Sequence, residues 1–161
     1  MSDGIRNLTT TDVREGEALP PLRYDVSTST VVLGAMASRD WRPMHHDRGF
    51  AVDRNGMKDI FMNTPNQAAW FERYLTDWTG PKGRLGKIQF RMKDSVYPGD
   101  TMTFNGTVAS VETDESGCGW ANLKITLTVD EKPVTDCTAR IALPVDADDN
   151  PWQRAGDDWK P

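Results

Sequence analysis

Histidine and cysteine are scarce in this chain of 161 residues, with two of each. That scarcity excludes whole classes of site. Cys118 and Cys137 form neither a CxxC pair nor a disulfide framework, so they read as buried or strand-borne thiols, not as a redox couple or zinc ligands. With only His45 and His46 available, and adjacent residues rarely aimed at one point, no metal and no cofactor are expected. Long apolar runs are missing as well. The longest, such as Thr30 to Ala37, fall far short of the ~20 residues a membrane helix needs, and Met1-Ser2-Asp3-Gly4 has no basic segment leading into an apolar one. A cytoplasmic protein without a membrane role is the expectation. Positive charge is not in excess either: the net charge of -5 argues against nucleic acid as a partner, although Lys82, Arg84, Lys87 and Arg91 could meet phosphates locally. There is no internal repeat and no low-complexity tract.

What is present fits one globular domain with a sizeable core, given 37% apolar and 27% charged residues. Residues 1–21 are polar, close on Leu19-Pro20-Pro21 and read as a flexible leader; Leu22 to Val26 suits a first strand. Ser27 to Thr30 offers N-caps to a short apolar helix over Val31 to Ser38. Asn63-Thr64-Pro65 then opens the longest helix, with a capping side chain followed by proline in the first turn. Phe71, Leu75 and Trp78 share one face of that helix, Glu72 and Asp77 take the solvent side, and Gly80-Pro81 stops it. From Lys87 onward the period becomes two: Lys87 to Met92, Thr101 to Val111, Trp120 to Val129 and Thr135 to Leu143 read as strands, with a turn at Pro98-Gly99-Asp100. One helix followed by a run of strands predicts an α+β domain, an antiparallel sheet wrapped around a central helix. Residues 145–161 form an acidic tail whose Trp152 and Trp159 are costly to leave in water and call for a docking surface.

Chemistry concentrates in Ser38-Arg39-Asp40-Trp41-Arg42-Pro43-Met44-His45-His46-Asp47, followed by Ala51. The apolar helix delivers Asp40 to its exit, and Pro43 bends the chain so that His45 folds back toward it. A carboxylate beside an imidazole exchanges protons near neutral pH. Alone, Asp40 would read as a turn carboxylate and His45 as a core histidine; their spacing about Pro43, with Ala51 behind, is what points to catalysis. His46 and Asp47 read as solvated or loop-bonding groups.

This stretch resembles the signature of the MaoC-like, R-specific enoyl-CoA hydratases, Gly-Asp-x-Asn-Pro-aliphatic-His followed by a small residue. Pro98-Gly99-Asp100-Thr101 is similar to that family's turn into a sheet strand. The resemblance spans Leu22 to Pro144 and implies a hot-dog fold over residues 22–144. Ser38 to Trp41, His45-His46-Asp47, Asp59-Ile60-Phe61 and Arg73 to Pro81 look like the small catalytic subunits of actinobacterial hydratases acting on steroid side chains. Two positions depart from the pattern: Arg39 and Arg42 stand where the family has glycine and asparagine. Asn63 occupies a place where the family commonly uses a glycine backbone N–H, and asparagine tolerates the unusual angles glycine would supply.

The resemblance implies addition of water to a 2-enoyl-CoA, or the reverse dehydration. Asp40 and His45 would orient the water and move its proton, in a division the spacing leaves open. An N–H of Asn63, Thr64 or Asn66 would meet the thioester oxygen with help from the helix dipole. Arg39, Arg42, Arg48 and Arg54 are candidates for the coenzyme A phosphates. The partner would be a second hot-dog subunit, identical or different. Two other readings remain: a non-catalytic acyl-CoA-binding or structural hot-dog subunit, and a hot-dog thioesterase, which wants a carboxylate on the central helix where Glu72 is the only one near.

Overall fold

The computed structural model describes residues 7–161. Strand β1 (Leu22–Asp25) is followed by helix α1 (Thr28–Ala37), a 3-10 turn (Pro43–His45), helix α2 (Arg48–Asp53) and the long helix α3 (Thr64–Thr79). Strands β2 (Arg84–Met92), β3 (Thr101–Thr113), β4 (Gly119–Val129) and β5 (Lys132–Leu143) complete one antiparallel sheet in the order β1-β3-β4-β5-β2. This is the α+β arrangement expected from the element order, and the hot-dog fold that the family resemblance implies.

Helix α3 forms because Asn63 caps it, accepting a hydrogen bond from the Asn66 N–H at 3.1 Å, while Pro65 stands in its first turn. It ends at Gly80, whose φ of 79° and ψ of 178° suit glycine alone. Its buried face carries Phe71, Tyr74 and Leu75. Phe71 bridges the sheet, its ring 5.8 Å from Phe90 of β2 and 5.1 Å from Phe104 of β3. Below it Leu123, Ile125 and Leu127 of β4 alternate inward, each contributing about 1.5–3 kcal/mol by burial. Trp78, expected on the same face, packs only at the core's edge. Tyr97 to Asp100 makes the expected turn, with Gly99 at φ 92° and the Asp100 N–H bonded to the Tyr97 carbonyl at 3.1 Å.

The N-terminal segment departs from the sequence expectation. Residues 1–6 lie outside the described residues, but from residue 7 the expected flexible leader is packed: Leu8, Val13 and Leu19 are buried in the core and Ala18 bridges to Thr107 of β3. Three apolar side chains spaced five and six residues apart match neither helix nor strand period, which is why the segment looked unstructured. Of the two tail tryptophans Trp159 docks as expected, whereas Trp152 stays 58% exposed, tied only by its indole N–H to the Pro81 carbonyl at 3.1 Å and by the Arg84 guanidinium over its ring. Trp159 lies 5.0 Å from Trp120, with the Arg84 guanidinium 3.6 Å from its ring centre. Lys82 Nζ and Arg84 Nη1 donate to carbonyls of Ala147, Asp149, Pro151 and Arg154, so these two cations hold the tail and leave the phosphate role suggested for their cluster. Both cysteines are buried, and burial pushes the Cys137 thiol up to about 12, which keeps it inert. Among the described residues no helix is long and apolar enough to cross a membrane.

Candidate active site

Helix α1 ends in a Schellman motif that sets the position of Asp40. The Arg39 N–H bonds the Met36 carbonyl at 3.0 Å and the Asp40 N–H bonds the Ala35 carbonyl at 2.9 Å. Closing this motif puts Arg39 at φ 55°, a left-handed conformation that costs an ordinary L residue roughly 1–2 kcal/mol. The glycine of the family pattern at this point thus has a backbone reason. Arg42 is extended at φ -65° and ψ 128°, as the following proline requires, and the 3-10 turn from Pro43 swings His45 back.

His45 is 2% exposed. Its Nδ1 lies 2.8 Å from the Phe61 carbonyl oxygen. A carbonyl only accepts, so Nδ1 carries the proton of the neutral ring and Nε2 presents its lone pair. That Nε2 sits 3.5 Å from Asp40 Oδ2. The start of α3 closes the site from the other side: Asn63 Nδ2 donates to Asp40 Oδ2 at 3.0 Å and to Ser38 Oγ at 2.9 Å. The two helices approach because Gly34 has no side chain. Any Cβ there would collide with the Asn66 amide, which instead donates to the Thr30 carbonyl at 3.0 Å.

Asp40 is held by Arg42 above all. Arg42 Nε donates to Oδ1 and Nη2 to Oδ2, both at 2.9 Å, and the Arg42 N–H reaches Oδ1 at 3.3 Å. This guanidinium, opposed by burial and helped by Asn63, holds the Asp40 carboxyl well below the usual carboxylate range.

The expected residues meet different fates. Asp40, His45 and Asn63 converge. Asn63 does so through its side chain, and its φ of -78° uses none of the left-handed freedom that was the reason for asparagine there. The Asn66 N–H is taken by the Asn63 cap, which removes it as an oxyanion donor; Pro65 has no N–H, so Thr64 carries the first unspoken-for amide of α3. Arg42 faces Asp40, Arg48 lies 3.5 Å from Asp59, and Arg39 and Arg54 are exposed. Asp47 caps α2 through Phe50 N–H at 3.0 Å, and His46 is exposed. Ala51 is fully buried on α2, a six-residue helix too short for its period to announce. Ser38 and the Phe61 carbonyl were missed as site groups. Ser38 stood inside the motif, but a backbone carbonyl leaves no trace in residue type.

No protein-family model matches the chain. It is 40% identical over 96 residues to the 3-oxo-4,17-pregnadiene-20-carboxyl-CoA hydratase beta subunit of Mycobacterium tuberculosis, covering 60% of this chain and 74% of that one. The chain belongs to the MaoC-like enoyl-CoA hydratase family. A chain of the ChsH1-ChsH2 complex from Mycobacterium tuberculosis superposes with a TM-score of 0.75 and 32% identity, over 81% of this chain and 98% of that one. The (R)-hydratase of A. caviae involved in PHA biosynthesis shares the fold, with a TM-score of 0.73 and 20% identity over 82% of this chain and 98% of that one. As a MaoC-like hydratase the chain is a hydro-lyase, and the Asp40–His45 turn is where its fold gathers acid–base groups.

Proposed function

We propose that this hydratase adds water to the double bond of a bulky 2-enoyl-CoA, with Asp40 and His45 as the catalytic pair. The observation that carries the reading is the facing of His45 Nε2 and Asp40 Oδ2 at 3.5 Å, with Nδ1 anchored on Phe61. A water bridging these two atoms has its oxygen oriented and one proton directed at Nε2. As the water oxygen bonds to C3, the π electrons move through C2 to the thioester oxygen. His45 takes the proton and, as imidazolium, returns it to C2, which restores the thioester and regenerates the neutral ring. Asp40 orients the water, and His45, whose Nε2 presents the free lone pair, takes its proton. The Thr64 N–H at the positive end of α3 suits the enolate oxygen.

A steroid-derived acyl group is supported by the similarity to the pregnadiene-carboxyl-CoA hydratase subunit. A second hot-dog subunit is supported by the neighbour that crystallised as a complex, by the outer edge of β2, which pairs only with β5 among the described residues, and by Leu33 and Trp41, 65% and 64% exposed beside the Asp40 turn. The thioesterase reading loses its support: no carboxylate is among the buried residues of α3, and Glu72 is exposed. The test follows the conjugated thioester absorbance of 2-enoyl-CoAs from short chains to steroid-linked ones, with the chain alone and with a second hot-dog subunit. Absorbance that never falls would remove the hydratase reading; light scattering that finds a stable monomer active alone would remove the partner.

A further inference from the structure

Asp40 presents an obstacle to the water it is meant to orient. A carboxylate has about four lone-pair positions, and those of Asp40 face the Arg42 N–H and Nε on Oδ1, and Arg42 Nη2 and Asn63 Nδ2 on Oδ2. A water that donates to Asp40 must displace one of these donors. Asn63 cannot leave: it is 2% exposed, and the same side chain caps α3 and bonds Ser38. The Arg42 side chain is 64% exposed and bonds nothing but Asp40 through its guanidinium among the described residues. It is the one donor free to swing into solvent.

We propose that Arg42 is a substrate-released latch, covering the Asp40 carboxylate until the phosphate groups of a coenzyme A thioester draw its guanidinium away and open the water position. The inference rests on the hydratase reading above and adds a source of selectivity to it. A guanidinium exchanges one bidentate anion for another with little loss, since carboxylate and phosphate oxygens match the same fork. Binding energy from the remote phosphates is thereby used at the reacting end, in the turnover rate and not in affinity alone. Arg39, exposed and three positions closer to α1 in the turn that follows it, adds positive charge that favours arrival of the phosphates. Arg42 touches no reacting atom; it acts as a positioning residue through Asp40, whose charged neighbours are Arg42 and, when protonated, His45.

The test compares kcat and KM for one 2-enoyl-CoA and for its pantetheine thioester, which keeps the thioester arm without the nucleotide phosphates. The wild type should turn over the pantetheine thioester about tenfold more slowly in kcat, a difference of about 1.4 kcal/mol. Adenosine 3′,5′-bisphosphate added in trans should recover much of that loss. Arg42→Asn and Arg42→Gln should bring the two kcat values within about twofold and abolish the response to bisphosphate. An unchanged kcat ratio in both variants overturns the latch, and so does a folded variant inactive on both substrates, which would make Arg42 part of the chemistry. Should the wild type hydrate neither thioester, the hydratase reading has failed, and the latch is then read by carboxyl 13C NMR. Free coenzyme A should raise the titration midpoint of Asp40 in the wild type but not in Arg42→Asn; no movement in the wild type overturns it.

Discussion

Asp40 at the exit of α1 and Asp114 in the β3–β4 turn each accept four hydrogen bonds, and the donors differ in kind. Asp114 takes Ser116 N–H at 2.9 Å, Ser116 Oγ at 2.7 Å, Cys118 N–H at 3.0 Å and Trp120 Nε1 at 2.8 Å. All are neutral, and three come from the turn that the carboxylate itself organises. Burial alone would raise the Asp114 pKa, yet these donors hold it at about 2. Asp40 takes one neutral donor, Asn63 Nδ2, but leans otherwise on the charged, exposed Arg42, while His45 offers it a lone pair and no proton. One carboxylate is closed by the amides and hydroxyl of its own turn and by a buried indole. The other is closed by a group that can leave, and opens toward a base.

The sharpest way to break this contrast is to remove each carboxylate's chemistry in turn. Asp40→Asn and His45→Ala should each lower kcat by about 10²–10⁴-fold with an unchanged far-UV spectrum, while Asp114→Asn keeps its turnover. Wild-type rates in either active-site variant would move the chemistry elsewhere in the fold.

Stability should sort the pair the opposite way. Asp114→Ala leaves the Trp120 indole N–H and two turn amides without an acceptor beneath the docked tail, at a cost of about 2–3 kcal/mol. Thermal melts should show a loss of several degrees, and a loss no greater than that of Asp40→Ala would end the distinction. The pH dependence follows with its sign. Both folded pKa values lie below the unfolded value of about 3.9, so the ionised forms favour folding. Their stabilisation is complete above about pH 4 and is lost as pH falls toward 2, amounting for Asp114 to about 2–3 kcal/mol. Urea midpoints measured from pH 5 to pH 2 should fall more gently in Asp114→Asn than in the wild type.

Much of this site could be read from residue order because its geometry is local. Asp40, Pro43 and His45 lie on one turn, and backbone rules for the residue before proline suffice to fold His45 back. The fold was legible for a similar reason: Asn63-Thr64-Pro65 and Gly80-Pro81 mark both ends of α3, and the switch to period two marks the sheet. What stayed hidden depends on contacts across the chain. The Asn63 side chain meets Asp40 only because Gly34 lets α1 approach α3, and the residue 7–21 segment is ordered by distant β3. Arg42 looked like a surface cation because nothing in its type says which anion it will meet.

The smallest effects come from two backbone positions, and they separate strain that serves a site from strain that does not. Asp130 and Glu131, at φ 48° and 64°, form the two central residues of the β4–β5 hairpin, where both angles must be positive. Arg39 has φ 55° at the end of α1. Glycine relieves either position, so Glu131→Gly and Arg39→Gly should each stabilise the fold by about 0.5–1 kcal/mol, a rise of about 1–4 °C in Tm. Kinetics should part them. Glu131 sits in a hairpin of the sheet, and its variant should leave KM for enoyl-CoA unchanged. Arg39 stands next to Asp40, so loss of its charge should raise KM severalfold while the Schellman motif, and with it the place of Asp40, is kept. Equal KM values in the two variants would mean that the left-handed arginine is strain without a substrate to justify it.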